Sequence, residues 1–362
     1  MGFLGFGGSR LTYDMFDLAR NAAEAKRFAT CERIYHKGQV LAWDGKEILP
    51  MLLEKHGGVR VAPEKKQALR RVFAIILWGE LAAWKISAQL ADRLVPLEAK
   101  MAATSQAFDE ARHFYTMYDY LQILGYVPER IDRLSERVVD YTLRAKTLPH
   151  KICGMQLMIE TIALTIFQTV RQKRIEPVLA ELLRYYEIDE ARHVGLGVNY
   201  LPIMIAQMNK REIAEMAVFQ ARLMFWVIMS LRALKDDLAV LGITPRDVVE
   251  LGKAKQYEVF KETWSGVGVD IDKERPMVSR VFESLDHLLF PEDADAKIGS
   301  RMKDAFFTFT AKKSSADQDL AQEAADQFEA DTILEGMGSA GSKWRGRRKA
   351  AKKRAESVSD AA

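Results

Sequence analysis

The pentapeptide Asp109-Glu-Ala-Arg-His113 recurs, residue for residue, as Asp189-Glu-Ala-Arg-His193. Two identical blocks eighty positions apart invite the same shift to be applied to everything around them. Glu80, beside the apolar block Val72 to Gly79, then maps onto Glu160, which interrupts Ile152 to Val170. Pro96 falls within one residue of Pro177. Each half reads as a helical hairpin with its proline at the turn. Glu80 stands about 15 residues before that turn and Glu110 about 14 after it, so at ~1.5 Å rise per residue both lie ~21 to 23 Å from the bend. Glu110 and His113 are i, i+3 on one helix face, as are Glu190 and His193. Two such hairpins packed together aim four glutamates and two histidines at one point.

Metal explains such a set. Four ionised carboxylates in an apolar interior cost several kcal/mol each without compensation, and two divalent cations offset them. Oxygen-rich ligation with one imidazole per ion suits iron or manganese better than zinc or copper(I). A lone Glu-x-x-His is common on helix surfaces. A solvated face does not account for the whole set, because Glu80 and Glu160 are flanked by Ile75-Ile-Leu-Trp78 and Leu157-Met-Ile159.

The rest of the chain reads as all-α. Apolar residues recur at helical spacing, Gly and Pro fall between periodic blocks, and no run of alternating β-branched residues stands between turn signals. Helices are predicted over Tyr13 to His36, Pro63 to Leu94, Pro96 to Leu124, Glu129 to Lys146, Lys151 to Arg174, Pro177 to Asn199, Lys210 to Leu241, Pro245 to Trp264, Glu274 to Leu289 and Ala296 to Thr310. Pro63, Pro96, Pro177 and Pro245 suit first turns, and Gly125 and Gly242 suit helix ends. The expected organisation is an N-terminal helical segment (1–62), a metal-binding bundle with supporting helices (63–310) and a weakly structured C-terminal segment (311–362). The block Met224 to Leu231 reads first as buried core and second as the wall of a pocket. His36, His56, His150 and His287 lie outside the repeat and read as surface or locally hydrogen-bonded.

Charge and cysteine content narrow the function classes. Met337 to Ala362 carries eight Lys/Arg against two acids, so of a net charge of +3 the tail holds +6 and the remaining chain −3. A basic surface spread over the fold, as a dedicated nucleic-acid binder shows, is not expected. The tail itself suits an acidic partner: nucleic acid, anionic lipid or an acidic carrier protein. Two cysteines, Cys31 and Cys153, in unrelated contexts support neither a disulfide scaffold nor a zinc ribbon. No stretch reaches 18 residues without a charge, and the first residues lack a basic-then-apolar signal, so a cytoplasmic location is expected.

With those residues in view, the chain resembles the ferritin-like di-iron carboxylate superfamily, over about Pro63 to Asn199. Asp-Glu-x-Arg-His given twice is similar to bacterial multicomponent monooxygenase hydroxylases, with close variants in acyl carrier protein desaturases and related oxidases. The resemblance implies a ferritin-like four-helix bundle core with additional C-terminal helices and two iron ions, or iron with manganese. Glu80 and His113 would hold one ion and Glu160 and His193 the other, with Glu110 and Glu190 bridging. Asp109 and Asp189 resemble the family's carboxylates that bind histidine N–H groups.

The chain departs from particular relatives. Met117 stands where ribonucleotide reductase small subunits place a radical tyrosine, although Tyr115 and Tyr118 are close by. Tyr186 stands where the aryl-amine N-oxygenase branch has a third histidine. Leu164 stands where multicomponent hydroxylases carry threonine, with Thr161 and Thr165 offset.

The implied function is oxygen-dependent oxidation of an apolar organic substrate, an acyl chain among the candidates, by hydroxylation, desaturation or a related C–H oxidation. The alternative is a ferroxidase or iron-handling protein. No flavin or nicotinamide fingerprint and no four-cysteine cluster pattern is present, so the electron donor is a separate ferredoxin or reductase. A homodimer is compatible with this reading.

Overall fold

The computed structural model describes residues 17–125, 127, 129–265, 277–291, 293 and 295–310. The described residues are helical, with no strand among them: α1 (Leu18–Arg27), α2 (Ala29–Val40), α3 (Gly45–His56), α4 (Pro63–Arg93), α5 (Leu97–Ile123), α6 (Arg133–Leu143), α7 (Leu148–Ile152), a π-helical run (Cys153–Ile159), α8 (Glu160–Gln172), α9 (Pro177–Ile205), α10 (Lys210–Ala233), α11 (Lys235–Val240), α12 (Pro245–Ser265), α13 (Met277–Leu289) and α14 (Ile298–Thr310). The all-α expectation holds. The C-terminal segment 311–362 with its basic tail, and Tyr13 at the start of the first predicted helix, lie outside the described residues.

Local chemistry sets most boundaries. Pro63 and Pro177 occupy first turns, where a missing N–H costs nothing. Asp17, Asp44, Asp132, Thr147 and Glu176 accept hydrogen bonds from the first free N–H groups of their helices. Asn209 and Glu212 form a reciprocal capping box on α10. Gly125 and Gly242, at φ 94° and 75°, take the left-handed conformation that ends a helix.

Several predicted helices differ in detail. The first is broken at Phe28 into α1 and α2, and the helix from Lys210 is broken at Leu234. α3 was not predicted at all, because Pro50 falls inside it; Pro50 faces solvent, where the missing N–H is tolerated. α9 runs on through Pro202 to Ile205 rather than stopping at Asn199.

The packing explains where polar residues can sit. α4 packs on α5, α8 on α9, and α5 on α9. Along α4, Leu69, Val72, Phe73 and Leu77 belong to one apolar cluster and Ala83, Ile86 and Leu90 to another, with Glu80 between them. α9 passes through the same layers in the same order, from Leu182 and Leu183 to Leu196 and Leu201. α5 and the helix carrying Glu160 pass through them in reverse. The four helices therefore carry one buried polar layer sandwiched between two apolar cores. Each core removes apolar surface worth roughly 25 cal/mol per Å², which offsets the burial of that layer.

Further elements enclose this unit. α2 and α3 lie against α5 and α9, α12 against α8 and α9, α11 against α4, and α10 against α6 and α13. Two helical stretches, Leu148–Gln172 and Lys210–Ala233, are long and apolar enough to cross a membrane. The first is 78% buried within the protein and carries Glu160, as a core helix does.

Candidate metal centre

The polar layer holds all six residues predicted as ligands, none more than 4% exposed. Ligand atoms of Glu80, Glu110, His113 and Glu190 lie within 4.8 Å of one another, and so do those of Glu110, Glu160, Glu190 and His193. Each group could hold a metal ion, and Glu110 and Glu190 belong to both. The structure therefore brings together the four glutamates and two histidines that the eighty-residue register aligned, in two sets joined by the glutamates of the two pentapeptides.

Both histidines turn Nδ1 toward the carboxylates. His113 Nδ1 is 3.3 Å from Glu190 Oε1 and 3.4 Å from Glu80 Oε2. His193 Nδ1 is 3.0 Å from Glu110 Oε1 and 3.1 Å from Glu190 Oε2. The far side of each ring meets an aspartate, and the pairing is crossed. His113 Nε2 lies 3.0 Å from Asp189 Oδ2, and His193 Nε2 lies 3.3 Å from Asp109 Oδ2. Donation of Nε2–H to the aspartate leaves Nδ1 with its lone pair toward the cluster, which fixes the tautomer a ligand needs. The contacts of Asp109 and Asp189 with the imidazoles are thus made across the two copies, not within each.

The arginines of the pentapeptide, given no role by the sequence reading, complete that layer. Arg112 donates to Asp109 at 2.6 Å and to Asp189 at 2.7 Å, and Arg192 donates to Asp109 at 2.8 Å and to Asp189 at 2.6 Å. All four residues are buried. Burial opposes ionisation of Asp189, but His113 and the two guanidinium groups overcome it and hold its carboxyl well below the usual range.

The glutamates experience different fields. Burial pushes Glu80 and Glu160 well above the usual carboxylate range. Burial also acts on Glu110, but His193 and His113 outweigh it and hold that carboxyl low. The two imidazoles, against the effect of burial, are raised well above 6.5: Asp189 and the glutamates beside His113 do this for one, Glu110 and Glu190 for the other. Without cations, protons on these groups supply the compensating charge.

Further residues position the set. Gln106 donates to Glu110 Oε1 at 3.2 Å and to Glu160 Oε1, and accepts from Gln156 at 3.3 Å. Trp43, in the connection between α2 and α3, donates from Nε1 to Asp189 Oδ2 at 2.8 Å. Tyr186 stacks on His113 with centroids 4.3 Å apart and donates its hydroxyl to the His113 carbonyl at 2.7 Å. Gln106 lies four residues before Glu110, a helical spacing that could have flagged it. Nothing near Trp43 in the sequence points to the site.

The π-helical run ends where Glu160 begins, and the Glu160 N–H reaches back five residues to the Met155 carbonyl. Such a turn rotates the following side chains relative to an α-helix and is frequent at functional sites. Gln256 of α12 donates from Nε2 to the carbonyls of Leu157 at 2.7 Å and Met158 at 3.4 Å. Thr161 and Thr165 donate back to the carbonyls of Leu157 and Thr161, each at 2.8 Å.

On one side the carboxylates open onto a cavity of about 150 Å³. Its wall includes Ile76, Val138, Met155, Ile166, Val227 and Leu231 together with Glu80, Glu110, Glu160 and Glu190. The block Met224 to Leu231 is therefore both half-buried core and pocket wall. No other titratable side chain lines it among the described residues.

Other candidates fall away from the site. Met117 is buried in an apolar cluster, and Tyr115 donates to Asp44 at 2.9 Å. His56 pairs with Glu181 at 3.0 Å and His150 with Thr147 at 2.6 Å. Cys31 and Cys153 are buried free thiols, both pushed up to about 12 chiefly by burial.

No protein-family model matches this chain, and no curated protein matches it.

Proposed function

We propose that this chain is an oxygen-dependent, non-haem di-iron oxidoreductase, built on a ferritin-like bundle of α4, α5, α8 and α9, that oxidises an apolar organic substrate by hydroxylation, desaturation or a related C–H oxidation. The observation that carries this reading is the pair of buried four-residue donor sets sharing Glu110 and Glu190 and facing an apolar cavity.

The residues fit two cations. Glu160 Oε2 is buried and has no hydrogen-bond partner, which is costly for a polar atom unless something else satisfies it. Carboxylate oxygens with one imidazole per ion suit iron or manganese. Glu80 and His113 would hold one ion, Glu160 and His193 the other, and Glu110 and Glu190 both. Iron held by such a set supplies the reductive activation of dioxygen.

The protein's own part is positioning and exclusion. Asp109 and Asp189 keep the imidazoles in the ligating tautomer, and Gln106 orients Glu110 and Glu160. The apolar wall keeps water from the reacting carbon and offers no acid or base beyond the glutamates. The electrons this chemistry needs are assigned, as part of the proposal, to a ferredoxin or reductase donor. The apolar lining of the cavity favours an organic substrate over iron itself.

Metal analysis of purified protein tests the reading. About two irons per chain are expected, and Glu110→Ala should lose most of both, because each set is left short of a shared ligand. Unchanged occupancy in that variant rejects the shared role of Glu110. Many irons per chain would select the iron-handling alternative.

A further inference from the structure

We propose that Gln256 selects an apolar substrate carrying one hydrogen-bond donor, an O–H or N–H, and holds that donor on Oε1 with the apolar remainder directed toward the carboxylates; the word substrate here rests on the di-iron reading. Gln256 is 5% exposed and lines the cavity. Its Nε2 is committed to the carbonyls of Leu157 and Met158 in the π-helical run. Carbonyls only accept, so the amide's orientation is set, with nitrogen toward the run. Its Oε1 is buried and has no hydrogen-bond partner. A buried amide oxygen left in that condition is costly, and only a donor relieves it.

The hydroxyls of the wall each have a partner already. Ser135 Oγ and Ser230 Oγ pair with each other at 2.5 Å, and Thr165 donates to the Thr161 carbonyl. The glutamates belong to the metal centre. Among the polar side chains of this wall outside the metal centre, Gln256 Oε1 is thus the acceptor left with no partner, and the one that gains most from a ligand's donor. An ether, a ketone or a pure hydrocarbon does not serve it.

The direction of the ligand follows from a second cavity. Gln256, Met224 and Phe282 also line a smaller neighbouring space of about 50 Å³, which includes Lys253, Tyr257 and Glu283. The four glutamates line only the larger one. Gln256 therefore stands where the two spaces adjoin, and from it the carboxylates are reached only through the larger one.

The test is calorimetric titration of the full-length protein with 1-octanol and its isostere heptyl methyl ether, with the metal content of the same sample measured in parallel. Octanol is expected to bind about five- to tenfold more tightly, the ratio that one buried hydrogen bond supports. Gln256→Met should abolish the ratio while leaving ether affinity within about twofold; a merely structural role would weaken both probes together. Ser230→Ala should keep the ratio. Equal affinities in the unaltered protein, as a water held at Oε1 would produce, overturn the proposal, and so does failure of both probes to bind. That comparison needs no variant, so it stands even if Gln256→Met does not fold. Two metals per chain with equal affinities would sink the Gln256 assignment and leave the di-iron reading standing. Octanol preference in a protein that takes up no metal would do the reverse.

Discussion

Replacing Asp189 with asparagine separates the charge that holds the fold from the charge that awaits a cation. Asp189 accepts from Arg112 at 2.7 Å, Arg192 at 2.6 Å, Trp43 at 2.8 Å and His113 at 3.0 Å, all within the buried layer. The amide removes the negative charge and turns an NH2 toward groups that only donate, leaving two guanidinium groups to share Asp109. Breaking one side of a buried ionic network in this way costs about 3–5 kcal/mol. With an unfolding entropy of roughly 2.1 cal/mol/K per residue, that lowers Tm by about 4–7 °C for a chain of this length. The measurement is urea denaturation and calorimetry of metal-free protein at pH 7. Because the carboxyl is held below its ordinary 3.8, its stabilisation is fully present there and is lost only as pH falls below that value. Glu80→Gln is the matched control. Burial pushes that carboxyl up, so the neutral amide should leave the metal-free protein within about 1 kcal/mol of the parent, or stabilise it. If Asp189→Asn also stays within about 1 kcal/mol, or if the two variants fall together, the division of the layer into an ionic frame and a cation site is wrong.

Two further outcomes follow from packing and burial. Gly197→Ala places a Cβ 2.6 Å from Leu157 Cδ2 and 2.9 Å from Gln156 Cβ, so the π-helical run must move; a loss of about 1–3 kcal/mol by chemical denaturation is expected, with weaker metal retention, and an unchanged midpoint would refute the contact. Lys255, buried and held down to about 7 mainly by burial, binds fewer protons folded than unfolded between pH 7 and its ordinary 10.5. The unaltered protein should therefore gain about 2–3 kcal/mol relative to Lys255→Met as pH rises from 7 to 9.5, and parallel pH profiles for the two would show that Lys255 is not buried in its neutral form.

The convergence of Glu80, Glu110, His113, Glu160, Glu190 and His193 was legible because a repeat is a geometric statement: residues matched at one register on equivalent hairpins reach the same depth. The crossing of Asp109 to His193 and of Asp189 to His113 was not, since a sequence shift aligns the copies without saying which partner each side chain faces. Arg112 and Arg192 stood inside the motif, yet an arginine in an amphipathic helix carries no mark of burial. The π-helical run escaped because Cys153 to Ile159 has a single polar side chain, Gln156, so its pattern cannot distinguish one winding from another. Trp43 and Gln256 come from elements far along the chain, and only tertiary packing brings them in.

The crossed frame has a consequence best put in terms of symmetry. Exchanging the two pentapeptides maps every bond among Asp109, Arg112, Asp189, Arg192 and the two histidines onto another bond of the same kind, so the frame is twofold in its chemistry. Its surroundings are not. Trp43 and Tyr186 both stand on the His113 side, while Asp109 meets no indole among the described residues. Two imidazoles that are equivalent within the frame are thereby made inequivalent: that of His113 meets an indole-anchored carboxylate and a stacked phenol, and that of His193 meets neither among the described residues. Were the two donor sets to take up cations, as proposed, such a broken twofold would make the two positions differ in affinity.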